Sequence, residues 1–255
     1  NFKRSLFNID EGGIIMNIRI CKALFMKDLK NCFVNKNVFL MLALPVLFGV
    51  MYKFLLGDIL KEATGSFVIV MCIVMTISII PLNVLANMVA EEKEKHTLRS
   101  LMLANVSAAD FLLSKAFVAL VLMLIDGILI FLVCQEPIGY FVYFLIFYIL
   151  ASLSVLFFGA LVGLLSKDQM SAGTLSSPLM IFLMLPPIFS QLNEMIEKIA
   201  VIFPTTSFQT LYLQLSTKQP FFNQDTVIAI IVCIVWIILG VIAFMYGYKK
   251  KGLDD

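Results

Sequence analysis

An all-α membrane protein with six transmembrane helices is the fold class predicted for this 255-residue chain by its apolar content, the length of its apolar segments and the placement of its basic residues. Hydrophobic residues make up 61% of the sequence against 14% charged, too little polar surface to clothe a water-soluble domain of this size. Crossing about 30 Å of hydrocarbon takes about 20 apolar residues. Segments of that kind are expected near 37–57, 65–90, 116–135, 137–165, 170–193 and 226–248. No run alternates polar and apolar residues as a membrane barrel requires, so the spans are expected as helices that satisfy their own backbone groups.

Fifteen of the 19 Lys and Arg residues fall on the side that carries both termini if the spans number six. Only Lys53, Lys61, Lys198 and Lys218 fall opposite. The positive-inside rule therefore predicts cytoplasmic termini, with the loops after spans two and four on the same side. Net charge of +2 reports this topology and makes no case for nucleic acid. Five cysteines stand singly without a C-x-x-C pair and read as small buried thiols.

Residues 1–15 precede Met16 and read as an extension of unclear origin, with no signal-peptide core; the membrane domain is expected over 16–255. Over 17–35, Ile18, Cys21, Leu24, Phe25, Leu29, Cys32 and Phe33 recur at spacings of three and four, with Arg19, Lys22, Lys27 and Lys30 on other faces. This pattern predicts an amphipathic helix, lying in the interface or packed on the protein's own spans. Span two is uncharged from Gly65 to Ala90, about 39 Å of helix. Pro81 predicts a kink in it, and Asn83 and Asn87 a polar strip that either packs against another helix or lines a pathway.

The run Glu91-Glu92-Lys93-Glu94-Lys95-His96-Thr97-Leu98-Arg99 follows span two. Residues 91–104 predict a short helix, with a supporting pair from Glu91 to Lys95 and an apolar side of Leu98, Leu101 and Met102. Its shape suits a docking element or a solvated loop between spans. Ser107-Ala108-Ala109-Asp110 is a capping box opening span three. Asp126 is the one carboxylate near the middle of a span and is expected to face the bundle, as a pathway or gating group or as a hydrogen-bond partner of a neighbouring helix. Gly159 and Gly163 in span four predict close helix contact, within or between copies. Between spans five and six, 191–202 and 206–215 predict two short external helices separated by Pro204, with Pro186-Pro187 bending span five before them.

The stretch from Ala90 to Leu103, followed by Phe111-Leu112-Leu113-Ser114-Lys115, resembles the signature of ABC-2 type transporter permeases. In that family a Glu-rich run leads to Gly-Thr-Leu-Glu, two leucines, a small-residue turn and Gly-Lys. Thr97, Leu98, Leu101 and Lys115 match, while His96, Arg99 and Ser114 replace the usual Gly, Glu and Gly. The resemblance implies that 91–104 is a coupling helix, docking an ABC ATPase through Glu91, Glu92, Glu94, His96, Thr97, Leu98, Arg99, Leu101 and Met102. It implies two ATPase subunits and a second permease copy in a bacterial plasma membrane, with both termini cytoplasmic. No G-x-x-x-x-G-K-[ST] loop occurs, so ATP and Mg2+ are expected on the partner and no cofactor on this chain.

Transport function is expected to be outward movement of a hydrophobic or amphipathic peptide or lipophilic drug. The alternatives are an ATP-independent carrier or channel, or an ABC exporter of a glycan or lipid-linked polymer. Enzyme chemistry has little support: His96 is the sole histidine, and neither H-E-x-x-H nor a Ser/His pair at membrane depth occurs.

Overall fold

The computed structural model describes residues 18–56, 66–97, 108–190, 193–216 and 223–251. Among them it is all helical, with six helices long and apolar enough to cross a membrane, as the composition predicts.

An N-terminal helix, Ile18–Val34, leads through Asn35 into span one, Lys36–Leu56. Its periodicity places Leu24 and Cys32 against the bundle while Met26 and Phe33 stay exposed. Packing is mainly on span three, with Phe25 and Phe117 rings 5.4 Å apart, so one stripe meets the protein and another stays exposed.

Span two is the axis of the molecule. It runs unbroken as Ser66–Ile79, a π-helical turn Ile80–Leu85 and Ala86–Glu94, and 83% of its apolar window is buried, against 17% for span one and 22% for span six. The expected kink at Pro81 takes the form of this π turn: proline removes an N–H from the ladder, and the wider helix accommodates the loss. Span four, Phe141–Leu165, lies directly on the turn. A Cβ on Gly159 would stand 1.9 Å from the Pro81 carbonyl oxygen, and one on Gly163 2.5 Å from that of Ala86. The G-x-x-x-G pair thus serves a contact within one chain.

Span three is the helix Ala108–Cys134, eight residues longer at its start than the apolar pattern suggests, so Lys115 lies inside it. Span five, Gln169–Phe189, opens with a capping box in which Asp168 accepts from the Ser171 N–H at 2.7 Å and the Ser171 hydroxyl accepts from the Asp168 N–H at 3.0 Å. It continues through Pro178, Pro186 and Pro187. Pro187 cannot donate to the Leu183 carbonyl; the Thr205 hydroxyl does so instead, at 2.7 Å.

Thr205 belongs to the second connecting helix, Pro204–Ser216, which starts on Pro204 as its first residue. The first connecting helix, Glu194–Ala200, is capped by Asn193 and exposes Glu197 and Lys198 together with Met195 and Ile199. The second returns into the bundle. Phe208 and Tyr212 stack at 5.9 Å and meet the stacked Phe144–Tyr148 pair edge-on, with Phe144 and Tyr212 centroids 6.0 Å apart. Span six, Gln224–Lys251, closes the bundle against span four, where the Ser154 hydroxyl donates to the Cys233 carbonyl at 3.1 Å.

Candidate functional site

Glu92 sits in the last turn of the span-two helix, where that helix leaves the apolar layer. Its carboxylate is only 5% exposed and gathers partners from three directions. Lys27 of the N-terminal helix donates to Oε1 at 2.6 Å, Lys115 of span three donates to the same oxygen at 3.2 Å, and the Thr97 hydroxyl donates to Oε2. Lys115, 1% exposed, also donates to Asp28 Oδ2 at 2.9 Å and lies over the Phe111 ring. Two cations and two carboxylates thus form a balanced relay joining the N-terminal helix, the end of span two and the start of span three. Buried charges persist in such a place only when paired and hydrogen-bonded. Burial pushes the Asp28 carboxyl above the usual carboxylate range, and Lys115 opposes the shift.

Neighbouring charges tie two further spans to the same point. Lys93 Nζ donates to the carbonyls of Leu164 and Ser166, at 3.0 and 2.8 Å, completing the end of span four with a cation. Glu94 Oε2 accepts from the backbone N–H and side chain of Gln169 at 3.2 and 3.3 Å, at the start of span five. Each charge has the sign that the helix end calls for. Glu91 pairs with Lys95, as the four-residue spacing predicts.

The helix stops at Glu94 because Lys95 leaves helical geometry and His96 turns left-handed, with φ of 54°. Residues 91–94 therefore complete span two rather than open a separate helix. Leu98, Arg99, Leu101 and Met102 lie outside the described residues, as does Ser107 of the expected capping box.

Asp126 and Asn83 stand apart from the relay, whereas Asn87 lies at its edge. The buried Asp126 carboxylate accepts from the Thr76 hydroxyl of span two at 2.8 Å. Asn83, 5% exposed, accepts from the Ser176 hydroxyl of span five at 2.9 Å through Oδ1, and its Nδ2 donates to Met180 Sδ at 3.4 Å. Asn87 is half-buried near the relay end, beside Asp28 and Asn31. The three do not converge on a common site.

Sequence reasoning on residues 91–104 leaves Lys27, Asp28 and Lys93 out of the candidate site and takes Lys115 only as a motif match. One signal for Asp28 was available. It is the sole acid of the helix 18–34, and its spacing from Leu24 and Cys32 puts it on the buried stripe.

No curated protein matches the sequence. The model of the ABC-2 family transporter protein matches residues 59–246, well over half of the chain, covering spans two to five, almost all of span six and the charged run between spans two and three. With six membrane-length helices and a charge relay at the foot of the signature segment, the chain belongs to the ABC-2 transporter family and is an ABC-2 type permease.

Proposed function

We propose that this permease is the membrane subunit of an exporter that moves a hydrophobic or amphipathic substrate outward, a membrane-active peptide or a lipophilic drug. ATP and Mg2+ are handled by two separate ATPase subunits, and two copies of this chain complete the transporter. The relay face is the cytoplasmic face, and the ATPase seats on residues 91–104.

The relay carries this reading. Thr97, inside the docking segment, holds Glu92 near the segment's start, and Glu92 is bonded to Lys27 and Lys115. Lys93 and Glu94 grip the ends of spans four and five. A displacement of the docking segment is thereby delivered at once to the N-terminal helix and spans two to five, as rigid-body switching requires. Spans one and five, with only 17% and 28% of their apolar windows buried, leave wide apolar faces for a second copy and for a greasy cargo.

The test is reconstitution with the ATPase encoded nearest to this chain. Leu98→Asp with Leu101→Asp is expected to abolish co-purification while membrane insertion persists. Lys115→Met is expected to retain the complex but to lose the link between ATP hydrolysis and efflux of a fluorescent amphipathic peptide. Efflux that continues unchanged in Lys115→Met refutes the relay as the transmitting element.

A further inference from the structure

Exposure on the N-terminal helix Ile18–Val34 follows one stripe. Lys22, Met26, Lys30 and Phe33 recur at spacings of three and four and are all exposed, flanked by the exposed Lys27 and Val34. Three lysines thus share a face without an acid, because Asp28, the sole acid of the helix, is buried and held by Lys115. Lys22 and Lys30 have no acidic partner among the described residues. The face is also ordered along its length. Lys27 meets Glu92 and Cys32 meets Met88, so the helix runs antiparallel to the end of span two and descends into the apolar layer as it nears span one. Phe33 and Val34, 57% and 74% exposed, stand at the deep end, one residue from span one with its exposed Phe39 and Leu40. The lysines stand farther out, from about one to about three turns before Val34. Open apolar side chains beside a membrane span, with cations above them, repeat the order of a phospholipid from acyl chain to phosphate.

We propose that this face binds an anionic phospholipid at the membrane boundary, with the headgroup met by the lysines and the upper part of the chains by Phe33 and Val34. Charge complementarity selects the anionic lipid, since phosphatidylcholine brings a cation of its own to the same lysines. Lys27 belongs to this stripe and also bonds Glu92, so the bound headgroup lies beside the relay. Binding of the lipid needs no ATPase and does not depend on which side of the membrane the relay faces.

Native mass spectrometry of the full chain in non-ionic detergent resolves the lipids retained as phosphatidylglycerol or phosphatidylcholine is titrated in. The first phosphatidylglycerol is expected to bind about tenfold more tightly than the first phosphatidylcholine, and Lys22→Gln with Lys30→Gln to remove that preference. Both positions are exposed, and a matching thermal transition establishes that the variant is folded. The preference is expected to survive in Lys22→Arg with Lys30→Arg, and in Lys167→Gln, an exposed lysine between spans four and five. Equal binding of the two lipids by the unsubstituted chain overturns the proposal, as does a preference that persists in the double Gln variant or is lost in Lys167→Gln. Glycerophosphoglycerol, the headgroup without its chains, is expected to compete poorly because it leaves Phe33 and Val34 uncovered. Competition equal to that of the intact lipid assigns the face to a soluble phosphate and overturns the lipid assignment.

Discussion

His96 holds a backbone conformation that side chains with a Cβ adopt at a cost of about 1–2 kcal/mol, and it does so where related permeases place glycine. The turn ends the span-two helix at Glu94. His96→Gly is expected to raise stability by about 1 kcal/mol in detergent melts, and His96→Val to lower it. At the start of span five, hydrogen bonds from the Ser171 backbone and hydroxyl hold the Asp168 carboxyl below its ordinary range. A depressed acid contributes stability above the ordinary carboxylate range and loses it as pH falls through its folded-state value. Asp168→Asn is therefore expected to flatten the acid limb of stability against pH, read by thermal melts at a series of pH values. In the N-terminal helix, burial pushes the Cys32 thiol up to about 12. Cys32 should resist maleimide at neutral pH in the folded protein and react after denaturation, which mass spectrometry resolves. Most relay residues were individually visible in the sequence as charges near a membrane boundary. Their pairing was not, since Lys115 and Asp28 are 87 positions apart and no local spacing rule links them.

The π turn at Ile80–Leu85 shows what an element needs beyond its own residues. Pro81 announced an irregularity in span two, and Gly159 and Gly163 announced a close contact, yet nothing local said that the two features meet. They meet because span four presses its small residues on the widened turn. Gly159→Ala is expected to destabilise by several kcal/mol, since its new methyl faces a backbone oxygen that cannot swing aside, whereas Gly173→Ala, in open space, should be stabilising or neutral. Differential scanning fluorimetry of the two variants gives the comparison. The second connecting helix carries a similar lesson. Its length was legible, but its burial depends on the carbonyl freed by Pro187 and on four aromatic rings from two helices.

At the scale of the molecule, the relay and the two connecting helices lie at opposite ends of the bundle, with the relay side carrying most of the basic residues. An impermeant maleimide added to intact cells is expected to label Met195→Cys and to spare Met170→Cys, both exposed positions on the two faces. The reverse pattern would invert the orientation and place the relay outside. Span count and class followed from composition because bilayer thickness sets the length of an apolar segment regardless of what packs against it. The uneven burial of the spans did not follow, since spans one, two and six are all strongly apolar, and only the assembled bundle decides which of them is central. That centre has a mechanical meaning. With the Pro81 carbonyl seated on Gly159 and the Ala86 carbonyl on Gly163, spans two and four interlock like keyed parts and cannot slide or roll past each other. They make one keyed column: a displacement that reaches either span carries the other with it, and the less buried outer helices are the elements with room to shift against the pair.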